Sequence, residues 1–172
     1  MLFQWLTGQT AQDTARATAS DELRQLVRKA MPTANEQDAA IVASVAGLLA
    51  FVAYADRSYG AEEQQAVGVA LARVHGLPDS AGQAVSSLLE ARIADLAHES
   101  LPTYTRVLYE LTERSARLEL FEVLMDVAVA DHVLSMDETN ALRRIANLLG
   151  LSDQDYLAAQ GRHRDRLSVL SG

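Results

Sequence analysis

Val52-Ala53-Tyr54-Ala55-Asp56, with Glu62-Glu63 just downstream, returns later in the same chain as Val127-Ala128-Val129-Ala130-Asp131 with Asp137-Glu138. Every member of the pattern is displaced by 75 (127 − 52, 131 − 56 and 138 − 63). One helix-loop-helix unit therefore reads as duplicated with its acids in register, which makes the chain an internal pair. The pairing also concentrates carboxylates at two equivalent corners, the only chemistry the sequence advertises.

Working outward from these corners, helical spacing recurs and strand-like alternation persists nowhere, so the fold class is all-α. Leu23, Leu26, Val27 and Ala30 form an apolar stripe behind a Ser20 cap, broken at Met31-Pro32-Thr33. A long apolar central helix is expected over about Asn35 to Asp56, turning at Arg57-Ser58-Tyr59-Gly60. A third helix carries Val67, Ala70, Leu71 and Val74 and stops at Gly76 before Pro78. Val85, Leu89, Ile93 and Leu96 mark a fourth, and Leu101-Pro102 opens a fifth with Tyr104, Val107, Leu108 and Leu111. Arg114 to Arg117 reads as a break or an exposed turn. Leu118 to Asp131 then copies the central helix, and Leu142, Ile145, Ala146 and Leu149 lead to a stop at Gly150. Past a Ser152 cap, the tail with Tyr156 and Leu157 reads as a solvated helix.

At 172 residues and 49% hydrophobic content, the chain suits one compact domain and no second core. Residues 20–172 are assigned to that domain. Residues 1–19, rich in Thr, Gln and Ala, are expected to be poorly ordered unless Trp5 docks. A pI near 4.9 and a formal charge of −8 exclude nucleic acid as a partner, because phosphate neutralisation needs a basic face. Cations and basic protein surfaces suit this charge better. Cysteine is absent, so no disulfide, thiolate metal site or thiol nucleophile exists, and a reducing cytoplasm is compatible. Met1 to Leu6 lacks the basic flank and apolar length of an export signal. Ala39 to Ala55 is free of charge, yet its alanines, Ser44 and Gly47 fit a buried core helix better than a membrane span.

The acids admit two readings. Ser135-Met136-Asp137-Glu138 is a capping box, and Gly60-Ala61-Glu62-Glu63 places its acids in the same first turn, where the helix dipole favours negative charge. Asp56 and Asp131 are expected in the last turn of their helices, where that dipole disfavours a carboxylate. Either a following loop amide compensates, in an Asx-type turn, or a cation bridges Asp56 to Glu62 and Glu63, and Asp131 to Asp137 and Glu138. All these ligands are oxygen, so calcium comes first, then magnesium or manganese. The pattern is not an EF-hand, since Val67 and Leu142 occupy the closing ligand position. His75, His98, His132 and His163 share no helical spacing. His132 reads as a solvent-facing loop residue. Without a Glu-x-x-His motif, no helical di-metal enzyme is expected.

Tyr54-Ala55-Asp56 with Glu62-Glu63, and Val129-Ala130-Asp131 with Asp137-Glu138, Ile145-Ala146 and Leu149-Gly150-Leu151-Ser152, together resemble the tellurite-resistance TerB family over roughly Asn35 to Tyr156. The resemblance implies a compact bundle of about seven helices with an internal pseudo-two-fold repeat, related to the N-terminal domain of a DnaJ-like co-chaperone. It implies metal-linked acidic sites at Asp56, Glu62 and Glu63, and at Asp131, Asp137 and Glu138. A stress-response role in the cytoplasm follows, with protein partners that include membrane-associated ones, no membrane span of its own, and no catalytic activity. One departure is visible. The family's common Ala-Asp-Gly becomes Asp56-Arg57 and Asp131-His132 here, so differently shaped loops are expected, with Arg57 able to neutralise Asp56.

Overall fold

A computed structural model describes residues 19–74, 77–99 and 101–168. Those residues form eight helices and no strand: α1 (19–30), α2 (Glu36–Ala53), α3 (Ala61–Ala72), α4 (Asp79–Ala97), α5 (Leu101–Leu111), α6 (Arg114–Ala128), α7 (Met136–Leu148) and α8 (Asp153–Ser168). The Gly76 stop, His75 and the segment through residue 18 lie outside the described residues.

The central helix is α2. Asn35 caps it by accepting the Asp38 amide at 2.8 Å. With no charge from Ala39 onward, it can be wrapped on nearly every side, and α3, α4, α5, α6 and α7 all pack on it. Its small residues allow close approach. A Cβ on Gly47 would sit 2.4 Å from the Tyr104 ring of α5, so only glycine lets that ring lie flat against the helix. By length and composition α2 is apolar enough to cross a membrane, but 67% of it is buried inside the bundle.

Four boundaries differ from the sequence reading, each for a local reason. Ser20 lies inside α1, buried, where its side chain hydrogen-bonds Tyr104 rather than capping. The break before α6 falls at Thr112-Glu113, so Arg114 to Arg117 are already helical. The corner helices α2 and α6 stop at Ala53 and Ala128, three residues before their aspartates. The tail is packed rather than solvated: Tyr156, Ala159 and His163 are buried, with α8 lying on α6. Ser152 does cap α8, its hydroxyl accepting the Asp155 amide at 3.2 Å, and Asp155 accepts from Arg114 at 2.7 Å. The Gly150 stop holds as read. Its φ of +69° lets the Leu151 amide reach back to the Ala146 carbonyl at 2.9 Å.

Candidate functional site

At the first corner the chain leaves α2 at Tyr54 (φ −114°, ψ 17°) and tightens through Ala55 N–H to Val52 O at 3.1 Å and Arg57 N–H to Tyr54 O at 3.0 Å. Asp56 Oδ1 then accepts the Ser58 amide at 2.8 Å, and Glu63 Oε2 accepts the Gly60 amide at 2.7 Å as α3 begins. The second corner repeats this bond for bond. Ala130 N–H reaches Val127 O at 3.1 Å, His132 N–H reaches Val129 O at 3.0 Å, Asp131 Oδ1 accepts the Val133 amide at 3.0 Å, and Glu138 Oε2 accepts the Ser135 amide at 2.7 Å. Each pair of equivalent atoms stands 75 positions apart.

Both aspartates thus take the local compensation, an Asx turn, and lie beyond the helix rather than in its last turn. The loops also keep the turn that a glycine would give. Arg57 has φ +68° and His132 φ +66°, a left-handed conformation that costs a residue with a Cβ about 1–2 kcal/mol. The expectation of differently shaped loops is therefore corrected. Among the described residues Arg57 forms no ion pair with Asp56, so it does not neutralise that acid in the way the sequence allowed.

The corners differ in two respects. Ser135 supplies a hydroxyl that accepts the Glu138 amide at 3.1 Å, completing a capping box, whereas Gly60 has no side chain to do so. Glu138 is also buried, at 8% exposure, while Asp56, Glu62, Asp131 and Asp137 are exposed and Glu63 is half-buried. Burial pushes the Glu138 carboxyl above its ordinary value, the hydrogen bonds from Ser135 oppose this, and the charges of Asp131 and Asp56 push it further up. Acids of both corners therefore meet electrostatically at Glu138. At the other corner, burial, with Glu90 and Glu63 adding to it, pushes the half-buried Tyr59 phenol up to about 12. Among the described residues, no group of three or more His, Asp or Glu side chains is close enough together to hold a metal ion.

Two open grooves flank the corners, of about 300 and 330 Å³. Each joins the second helix of one corner to the first helix's end at the other: α3 faces the end of α6, and α7 faces the end of α2. Their linings match at the same displacement of 75. Glu62, Gln65 and Ala66 in the α3–α6 groove correspond to Asp137, Asn140 and Ala141 in the α7–α2 groove. Around the helix ends, Asp126, Val129, Ala130 and His132 correspond to Phe51, Tyr54, Ala55 and Arg57.

A family model, Tellurite resistance protein TerB, matches residues 40–161, well over half of the chain. The chain belongs to the TerB family. No curated protein and no solved structure matched it. The TerB match runs from α2 into α8 and takes in both corners and all six candidate acids. Just past the end of the TerB match, sequence reasoning missed one polar cluster: His163 places Nε2 3.1 Å from Asp126 Oδ1 and Nδ1 2.9 Å from the Ala159 carbonyl, and Arg73 reaches Asp126 at 3.2 Å. The signal was present, since Tyr156, Ala159 and His163 fall at i, i+3 and i+7, one face of a helix.

Proposed function

We propose that this TerB domain is a non-enzymatic module of the tellurite- and stress-resistance class that acts in the cytoplasm by engaging protein partners, membrane-associated ones among them, through the grooves its corners frame. One observation supports this above others. Asp56, Glu63, Asp131 and Glu138 each commit a carboxylate oxygen to a backbone amide at 2.7–3.0 Å, so the acids fix the corners and the corners fix the grooves. On this reading the thermal midpoint in chelator equals that in excess calcium, and Glu138→Ala lowers stability even in chelator.

A second reading, divalent-cation binding, draws on the charges of Asp131 and Asp56 acting at the buried Glu138, acids that are not gathered around one point as they stand. The donor chemistry fits a hard cation, because Asp56 Oδ2, Asp131 Oδ2 and Glu138 Oε1 are oxygens outside the corner hydrogen bonds. Gathering them requires side-chain rotation, which makes affinity low. Glu62, Glu63 and Asp137 complete the proposed set from the first turns of α3 and α7. Calorimetry with calcium, then magnesium and manganese, decides between the two. A heat of binding and a calcium-dependent rise in midpoint, both lost in Asp131→Asn, hand the corners to the cation.

A further inference from the structure

The two grooves share positions but not chemistry. Where the α3–α6 groove has His132 and Val69, the α7–α2 groove has Arg57 and Arg144, and where the first has Asp126 and Val129, the second has Phe51 and Tyr54. In the first, Arg73 is already bonded to Asp126. In the second, Arg57 and Arg144 have no ion-pair partner among the described residues, although acids outnumber bases 23 to 15 in the chain. Arg57 is held beside the groove by a left-handed backbone turn. The lining thus presents two arginines against the single Asp137, over an aromatic floor to which His98, with its ring centre 6.5 Å from that of Tyr54, contributes an edge.

We propose that the α7–α2 groove docks an acidic segment of a partner protein, with carboxylates on Arg57 and Arg144 and an apolar side chain against Phe51 and Tyr54. Charge complementarity argues for this occupant. Arginine forks match carboxylates bidentately, and two arginines on the lining of one groove, in a chain of net charge −8, give an acidic peptide a local attraction there. The volume of about 330 Å³ suits a few side chains rather than a folded surface. This deepens the partner-binding reading given above and rests on it.

The test is fluorescence anisotropy with a labelled peptide of alternating glutamate and leucine, at low and at physiological salt. Binding that weakens with salt is expected, weakening further by about tenfold or more in R57Q/R144Q. The pair R28Q/R106Q makes the same change in net charge elsewhere and is expected to alter affinity by less than about twofold. R57K/R144K keeps the charge without the fork and falls between, which separates docking from general electrostatics. Circular dichroism on each variant verifies the fold. Equal loss in the two glutamine pairs overturns the proposal, as does binding of phosphatidylglycerol vesicles in place of the peptide. If the wild type binds only a lysine-leucine peptide, and Glu62→Gln abolishes that binding, this groove assignment falls and the partner-binding reading stands. If neither peptide binds and calcium raises the midpoint, both fall.

Discussion

The second corner is better built than the first, though their backbones coincide bond for bond. Ser135 gives α7 a full capping box around a buried Glu138, while Gly60 leaves α3 with only the Glu63 half and a partly open carboxylate. The same turn is thus held by different amounts of side-chain chemistry, which shows that the backbone bonds set its shape and the side chains set its strength. Breaking the stronger corner is expected to cost more. Glu138→Ala should lower unfolding free energy by about 1–2 kcal/mol in urea denaturation and Glu63→Ala by about 1 kcal/mol or less, since both lose the carboxylate bond to the N-cap amide but only Glu138 is buried. Equal losses would show that the burial of Glu138 contributes nothing.

Upgrading the weaker corner sharpens the same contrast. Gly60→Ser supplies the missing hydroxyl at a residue with φ −84°, where no left-handed penalty applies. The new Cβ would start 2.9 Å from Glu63 Oε2, the mobile end of a side chain, so a modest shift is needed. A net gain of about 0.5 kcal/mol is expected, less than a full cap because of that shift.

The pH response should differ between corners as well. The Glu138 carboxyl lies above its ordinary 4.5 when folded, so in the window just above 4.5 the folded state holds more proton than the unfolded one. Its ionisation therefore destabilises the fold. Stability from this group is fullest below 4.5 and is lost as pH rises through the folded value. Glu138→Gln keeps an acceptor for the Ser135 amide but cannot ionise, so its stability relative to wild type should improve as pH rises through that window. A difference that is flat across pH counts against the burial of Glu138, and the smaller pushes of Asp131 and Asp56, raising its carboxyl. The smallest effects belong to the turns. Arg57→Gly and His132→Gly relieve a left-handed backbone but free the unfolded chain, and each should stabilise by less than about 1 kcal/mol. Unequal gains would mean that one loop is more strained than the other.

Much of this was legible in residues. The charge-free run of α2 announced a core helix, Gly150 announced its left-handed stop, and Ser135 with Glu138 announced a cap. Other features left no local mark. Arginine gives no forecast of φ +68° and histidine only a weak one of φ +66°, because that conformation is imposed by the bonds from Arg57 to Tyr54 and from His132 to Val129. Tyr54 and Val129, ordinary helix residues, gave no sign that the helices end just ahead of them, so the aspartates were placed one turn too early. Ser20 passed for a cap because its true partner, Tyr104, is far along the chain. The grooves were invisible for the same reason, each being assembled from a helix of one corner and a helix end of the other.

That crossed assembly has a mechanical outcome. Anything seated in either groove touches the chain on both sides of Thr112-Glu113 simultaneously, so an occupant acts as a clamp between the N-terminal and C-terminal stretches. Binding should therefore raise the melting temperature of the whole bundle with the logarithm of ligand concentration once that exceeds the dissociation constant, rather than protect one end of it.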